Sequence, residues 1–402
     1  MAFLKVVSLE KALEVVKSLK VNVGIESVTL ESALGRVLAE DIISPIDVPP
    51  FDRATVDGYA LCAEDTFMAS ESNPVELKVI GEVHAGDEKV PSLGSGEAVY
   101  VSTGAMIPKN SNAVVMFESV EREGDVIKLT KPLYPGEGVM KKGADIERGA
   151  LLIRKGERLD FRKTALLSAI GIGSVKVFRR PSVAVISTGN EIVLPGEPLK
   201  PGKIYDINGR ALTDALRWLG AKATFIGIAK DSEEDLERSL KRTLDHDLVL
   251  LSGGASGGFR DLTERVIGRF GKVLVHGIAI QPGKPTIIGV IDGKPVFGLP
   301  GYPTSCLINF TLLVLPLLSS FLGGIRLEEK RWAKLRHKVF SVKGRRQFLP
   351  VKFEGEEVVP ILKGSGAVTS FVNADGFIEV PENVEILKAG EPVEVTLFPW
   401  KR

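Results

Sequence analysis

The sequence predicts a multidomain protein of α/β and β architecture, with a doubly wound, mostly parallel sheet flanked by β-rich and mixed helical regions. At 402 residues the chain exceeds what one ordinary core holds, so several domains are expected. Across residues 181–325 apolar runs of strand length alternate with amphipathic helical stretches, the pattern of a parallel sheet covered by helices on both faces. From Ser44 to about Gly143, and again after Arg326, the helical period gives way to short β-branched runs between glycine and proline turns.

Taken in order, Ser8 precedes Leu9, Ala12, Leu13, Val16 and Leu19, an i, i+3, i+4, i+7 stripe that predicts a helix capped by the serine. A second stripe, Leu30, Ala33, Leu34, Val37 and Leu38, predicts a second helix. Strands follow at Glu76–Ile80, Ala98–Ser102, Ala113–Glu118 and Val126–Leu129, and then at Leu151–Arg154. A helix is predicted near Arg162–Ile170, closed by Gly171, with a strand at Ser174–Phe178.

The alternating region opens with a strand at Val183–Ile186, a helix carrying Leu212, Ala215, Leu216 and Leu219 and ended by Gly220, and a strand at Ala223–Ile228. Then come an acid-started helix after Asp231, a strand at Leu248–Leu251, a glycine loop, and a helix opened by Asp261. Ile287–Ile291 and Val296–Leu299, joined through Asp292-Gly293, read as a hairpin. The apolar run Cys306–Leu322 is broken by Asn309, Pro316, Ser319 and Ser320, and is expected as a buried helix, not a membrane span. The resulting division is residues 1–43 with 145–180 as a helical and mixed domain, 44–144 as a β-rich domain, 181–325 as the α/β domain, and 326–402 as a C-terminal β module.

Composition narrows the function. Lysine plus arginine number 52 against 51 aspartate plus glutamate, so the chain is not built to coat nucleic acid or an acidic membrane. Cys62 and Cys306 lie far apart and the four histidines are isolated, which removes disulfide frameworks and zinc sites of Cys or His type. A bound metal is therefore expected to be hard and oxygen-ligated, like magnesium. The N-terminal residues reach charge before any apolar stretch of signal length, which predicts a cytoplasmic location.

In a doubly wound sheet ligands bind beyond the carboxyl ends of the strands. There the sequence places Ser187-Thr188-Gly189-Asn190-Glu191 and Ser252-Gly253-Gly254-Ala255-Ser256-Gly257-Gly258, with Asp261 following. Glycines let backbone amides approach a phosphate, and a helix N-terminus adds partial positive charge, so this loop suits an anion. Such loops also simply turn chains, and Asp231 and Asp261 serve equally as helix caps. Neither G-x-G-x-x-G nor G-x-x-x-x-G-K-[ST] occurs, which removes the common dinucleotide and P-loop readings. Gln281-Pro-Gly-Lys284-Pro and Gly298-Leu-Pro300-Gly-Tyr-Pro303-Thr-Ser305 follow later strands, where the prolines stiffen a pocket wall. Lys284 reads as a solvated surface charge on its own, and as an oxyanion ligand beside the anion loop.

These segments, with Ile204-Tyr-Asp206-Ile-Asn208, resemble the successive signatures of the molybdopterin molybdotransferases, the MoeA type that also forms the C-terminal part of gephyrin. Pro50 to Ala60, Ser102-Thr103-Gly-Ala and Gly143-Ala-Asp145-Ile resemble that family's cleft domain, and Lys363-Gly-Ser-Gly and Ser370 to Gly376 resemble its C-terminal β-barrel. The resemblance spans nearly the whole chain. It implies a homodimer that inserts molybdate, or tungstate, into adenylated molybdopterin as AMP leaves, with a molybdopterin adenylyltransferase as a further partner.

By position in the motifs, the resemblance makes Glu191 and Asp261 magnesium ligands, and adds Asp57, Thr103, Asp145 and Asp231 to the catalytic set. Ser187, Thr188, Gly189, Asp206, Asn208, Ser252, Gly253 and Gly254 become contacts to the pterin or its phosphate. Lys284, Pro300, Pro303, Ser305 and Ser370, with Arg345 or Arg346, become the surroundings of molybdate, a tetrahedral dianion that needs positive charge and hydroxyl donors. Gln281 stands where many relatives have lysine, which implies one cation fewer around the oxyanion. Two other functions keep the same fold: an adenylyltransferase acting on the pterin, and a non-catalytic scaffold like gephyrin. The domains outside 181–325 weigh against the first, and the retained carboxylates and Lys284 against the second.

Overall fold

A computed structural model describes residues 6–253, 257–322 and 329–401, with the backbone alone at 257–261 and 371. Its contacts divide the chain into two units, one made of residues 41–155 and 161–174, the other of the rest.

The larger unit is built on a six-stranded sheet in the spatial order Lys222–Ala229, Ser182–Thr188, Leu248–Gly253, Lys294–Leu299, Ile287–Ile291, Gly271–His276. The first four strands run parallel, and the last two are antiparallel additions at one edge. Strand alternation sends Val183, Val185, Leu248, Leu250 and Phe297 into one core, with Ala12 and Val16 of the helix Leu9–Ser18 and Leu212 and Leu216 of the helix Asn208–Leu219. Ala184, Ile186, Val249 and Leu251 face the other core, with Leu236, Leu240, Leu262 and Val266. Both faces are thus covered, the condition under which parallel strands are stable. The expected hairpin turns at Asp292 and Gly293, both with positive φ, as a two-residue turn of this type requires.

The run Pro303–Phe321 is a 19-residue helix, apolar and long enough to cross a membrane by length and composition, but 67% of it is buried inside the protein. It passes from α-helix into a π turn over Phe310–Val314. The C-terminal strands Arg346–Glu354, Glu357–Pro360, Lys330–Leu335, Pro392–Leu397 and Gly376–Val380 pair in that order, and the last returns to the first, closing a five-stranded barrel. Ile280–Gln281 adds to Arg346–Gln347 as a parallel strand, so the segment leading to Lys284 is fastened to the barrel.

The smaller unit holds a second six-stranded sheet, ordered Ala113–Met116, Gly58–Leu61, Glu97–Val101, Val75–Val83, Val126–Leu129, Glu121–Glu123. One pairing in it, between Val75–Val83 and Glu97–Val101, is parallel. Its two faces bury separate apolar sets, Leu61, Leu77 and Ile127 on one and Val83, Val99 and Val101 on the other.

Three local expectations are corrected. The stripe Leu30–Leu38 forms only a 3-10 turn at Leu30–Ser32, because Gly35 takes φ +75° and donates its N–H to Leu159 O, while Val37 bridges Arg158 and Leu38 bridges Val177. The helix after Asp231 is capped by Ser232, whose side chain accepts from Asp235 N, so Asp231 is not the cap. The helix after the glycine loop starts at Gly257, so Asp261 lies inside it instead of opening it.

Candidate active site

The parallel strands of the larger unit end in the polar segments singled out above. Ser187, wholly buried, donates from its hydroxyl to Asp206 Oδ1 at 2.9 Å, and Gly209 N donates to the same oxygen at 3.1 Å. Asp206 thereby holds the first turn of the helix Asn208–Leu219 against the strand ending at Thr188. A Cβ on Gly209 would stand 2.3 Å from Asp206 Oδ2 and 2.5 Å from Ser187 Oγ, so glycine is required by close approach. Asn208 Nδ2 donates to Gly301 O at 2.8 Å and ties this helix to the Gly298–Ser305 segment. These three polar side chains therefore brace the wall of the site from inside.

Thr188 Oγ1 donates to Ser252 O at 3.4 Å, which joins the two strand ends. Gly253, at φ +151°, has room for no side chain: a Cβ would lie 2.0 Å from Thr188 O. Ser252 Oγ sits 3.5 Å from Cys306 Sγ, and burial pushes that thiol up to about 12, so it stays protonated. Beyond the strands, Asn190 and Asp231 make a reciprocal pair, each backbone N–H donating to the other's side-chain oxygen at 3.3 Å. Glu191 folds back over Gly189, whose Cβ position is 2.8 Å from Glu191 Oε2. Glu191 and Asp231 are both exposed, and neither has an ion-pair partner among the described residues. Gly254 and the side chain of Asp261 lie outside the described residues.

A second cluster forms where the helix Pro303–Phe321 begins. Ser305, Thr304 and Ser370 are 3%, 5% and 1% exposed, and the hydroxyls of Thr304 and Ser370 have no hydrogen-bond partner among the described residues. Thr304 N donates to Ser365 O at 3.2 Å, and the Tyr302 ring covers Gly366, so the barrel loop seats on the helix start. Lys284 is exposed, and its carbonyl accepts from Ile278 N at 3.0 Å. Pro300 is buried and Pro303 is the first residue of the helix, where its missing N–H costs nothing. Arg346 is taken up by Glu10 at 2.6 Å and Glu379 at 3.2 Å, whereas Arg345 is exposed with no ion pair among the described residues.

In the smaller unit Asp57 and Thr103 meet. Asp57 Oδ1 accepts from Thr103 N at 2.6 Å and from Thr103 Oγ1 at 2.8 Å, and the backbone donor first, then the hydroxyl, hold its carboxyl below the usual range. Asp145 is exposed and donates its N–H to Val48 O at 3.0 Å, without a hydrogen bond to that pair among the described residues.

Sequence reading missed two residues of the second cluster, Thr304 and Asn309. Asn309 is wholly buried, its Nδ2 donating to Ser305 O at 2.8 Å and its Oδ1 accepting from Thr286 Oγ1 at 2.9 Å. A polar residue one helical turn beyond Ser305 in an apolar run was the available signal.

Comparison with known proteins agrees in order along the chain. Family models for the "MoeA N-terminal region (domain I and II)", a "Probable molybdopterin binding domain" and the "MoeA C-terminal region (domain IV)" match residues 7–171, 184–320 and 332–398. A molybdopterin molybdenumtransferase of Staphylococcus aureus is 34% identical over 382 residues, 92% of this chain and 90% of that one. A protein of Methanocaldococcus jannaschii named for molybdopterin biosynthesis is 38% identical over 388 residues, 94% of this chain and 93% of its own length. A crystal structure of a molybdopterin biosynthesis MoeA protein from Pyrococcus horikosii is 66% identical and superposes with a TM-score of 0.92, covering 98% of this chain and 99% of that one.

Proposed function

The chain belongs to the MoeA family of molybdenum cofactor biosynthesis transferases, and from that premise we propose that it inserts molybdate, or tungstate, into adenylated molybdopterin with release of AMP. The observation that carries the proposal is the pair of buried hydroxyls of Thr304 and Ser370, without a hydrogen-bond partner among the described residues, where the helix Pro303–Phe321 begins. A buried hydroxyl without a partner costs roughly 1–3 kcal/mol, which a native structure retains where a ligand supplies the bond. A tetrahedral dianion is such a ligand, since it accepts hydrogen bonds on every oxygen and is favoured at a helix N-terminus. Lys284 and Arg345 supply the positive charge, and Ser305, in the same first turn, is a further hydroxyl donor.

The strand ends on the other side of Cys306 and Ser252 suit the pterin phosphates. Gly189 and Gly253 let the chain pack closely there, against Glu191 and Thr188, and Ser187, Asp206 and Asn208 keep the wall rigid. Magnesium fits the donors available. It is commonly held by one or two carboxylates and completed by phosphate oxygens and waters, so the exposed Glu191 with Asp261 needs no third protein ligand. When bound it would neutralise charge that develops on the pyrophosphate as AMP departs. This chain's own residues orient the two substrates: the glycine loops take the pyrophosphate, and the hydroxyl and lysine cluster takes the oxyanion. Asp57, Thr103 and Asp145 are proposed to act in the same reaction from the smaller unit, within a homodimer located in the cytoplasm.

The test is turnover of purified protein with adenylated molybdopterin, magnesium and each oxyanion. AMP release that depends on molybdate or tungstate is expected. ATP-dependent adenylation of the pterin with no oxyanion-dependent release would instead favour an adenylyltransferase, and pterin binding without any turnover would favour a scaffold.

A further inference from the structure

We propose that Asn309 is a positioning residue that sets Lys284 against the oxyanion hydroxyls, acting through Thr286. The inference rests on the molybdate-binding reading of the Lys284–Ser305–Ser370 cluster given above. Asn309 lies among Cys306, Leu307, Ile308 and Phe310, every one of them buried, at a place where an apolar side chain of the same size would satisfy the helix. A buried amide is costly unless both ends are bonded, and here both are. Its nitrogen donates to the carbonyl of Ser305, one turn back, and its oxygen accepts from Thr286 Oγ1, which belongs to the lysine loop.

The loop lies directly on this amide. Gly283 takes φ +116°, and a Cβ there would fall 1.9 Å from Asn309 Nδ2, so the backbone one residue before Lys284 is pressed against Asn309. Thr286 Oγ1 also reaches Gly283 O at 2.8 Å, sharing its single hydrogen between the loop and the amide. On the far side, Ile278 N donates to Lys284 O. Asn309 thus stands between the backbone that carries Lys284 and the turn that carries Ser305, the two parts that must close on one anion from different elements. Directly after it the helix widens into the π turn Phe310–Val314, a departure from α geometry that tends to occur at functional sites. A binding group must be held to within about 0.5 Å of its productive position, so loosening this spacer is expected to weaken the oxyanion contact.

The experiment compares Thr286→Val, which removes the bridging hydroxyl at nearly constant volume, with Thr286→Ser, which restores it, and with Asn309→Leu. Oxyanion-dependent AMP release by the wild-type protein is measured first, because its failure would overturn the underlying functional reading and not this one. Given turnover, Thr286→Val is expected to raise half-saturation for molybdate at least fivefold while kcat at saturating molybdate stays within twofold, with Thr286→Ser close to wild type. In the double variant Lys284→Ala with Thr286→Val, half-saturation should be no higher than for Lys284→Ala alone, since the second change acts through the first group. Unchanged half-saturation in Thr286→Val, a loss of kcat alone, or full additivity in the double variant would each overturn the proposal. Should Asn309→Leu fail to fold, the Thr286 pair decides the matter unaided.

Discussion

Asp57 and Thr103, 46 residues apart, become a bonded pair, and that contact makes a direct statement about pH. Both donors stabilise the ionised carboxylate, so its folded pKa is lowered and the contact's contribution is present above the ordinary carboxylate range. That contribution is lost as pH falls through the lowered value. Replacing Thr103 by valine removes the hydroxyl donor but keeps the backbone one, so the Asp57 midpoint in a carbon-detected NMR titration should rise toward the ordinary value. An unmoved midpoint would show that the hydroxyl does not hold the carboxylate. Cys306 gives a second check at this scale: with its thiol pushed up to about 12 by burial, it should resist alkylation at pH 8 until the protein unfolds, and rapid labelling of the native chain would contradict its placement. Where the candidate site lies was legible in the motifs, because residues such as Ser187, Glu191 and Ser252 fall at or just beyond strand ends that the sequence predicts. Asn309 was not, because its meaning comes from Thr286, which lies 23 residues away in sequence.

Among the elements, the alternation across residues 181–325 was legible because both periods are local, and each predicted strand lies within or nearly within an observed one. The stripe at Leu30–Leu38 shows the limit. Its apolar spacing matches a helix, but the partners of Gly35, Val37 and Leu38 are Leu159, Arg158 and Val177, far along the chain, and those pairings override the local pattern. Residue periodicity alone showed only short strands after Arg326, because closure depends on Gly376–Val380 returning to Arg346–Glu354, whereas the family resemblance implied the barrel that is found. The seam between the strands ending at Thr188 and Gly253 offers a test at this scale. Gly253→Ala puts a Cβ 2.0 Å from Thr188 O in a backbone conformation that disfavours alanine, so urea unfolding should show a loss of at least about 1–3 kcal/mol. A midpoint equal to wild type would mean that the seam opens without cost.

For the molecule as a whole, family membership and the two cores of its α/β sheet account for where the polar strand ends lie, and the barrel brings Ser370 to the start of the buried helix. The proposed homodimer predicts a sedimentation mass near twice the 43.4 kDa of one chain, and a monomer at micromolar concentration would contradict it. The central claim is that the Lys284, Ser305 and Ser370 cluster binds the oxyanion, separately from the loops that bind the pterin. It is tested most directly by AMP release as a function of molybdate concentration in Lys284→Ala, with the affinity for adenylated pterin measured in parallel. Loss of a charge-assisted contact worth about 1.5–3 kcal/mol should raise half-saturation for molybdate at least tenfold and leave pterin affinity within twofold. An unchanged molybdate dependence, or an equal loss of pterin affinity, would contradict the assignment.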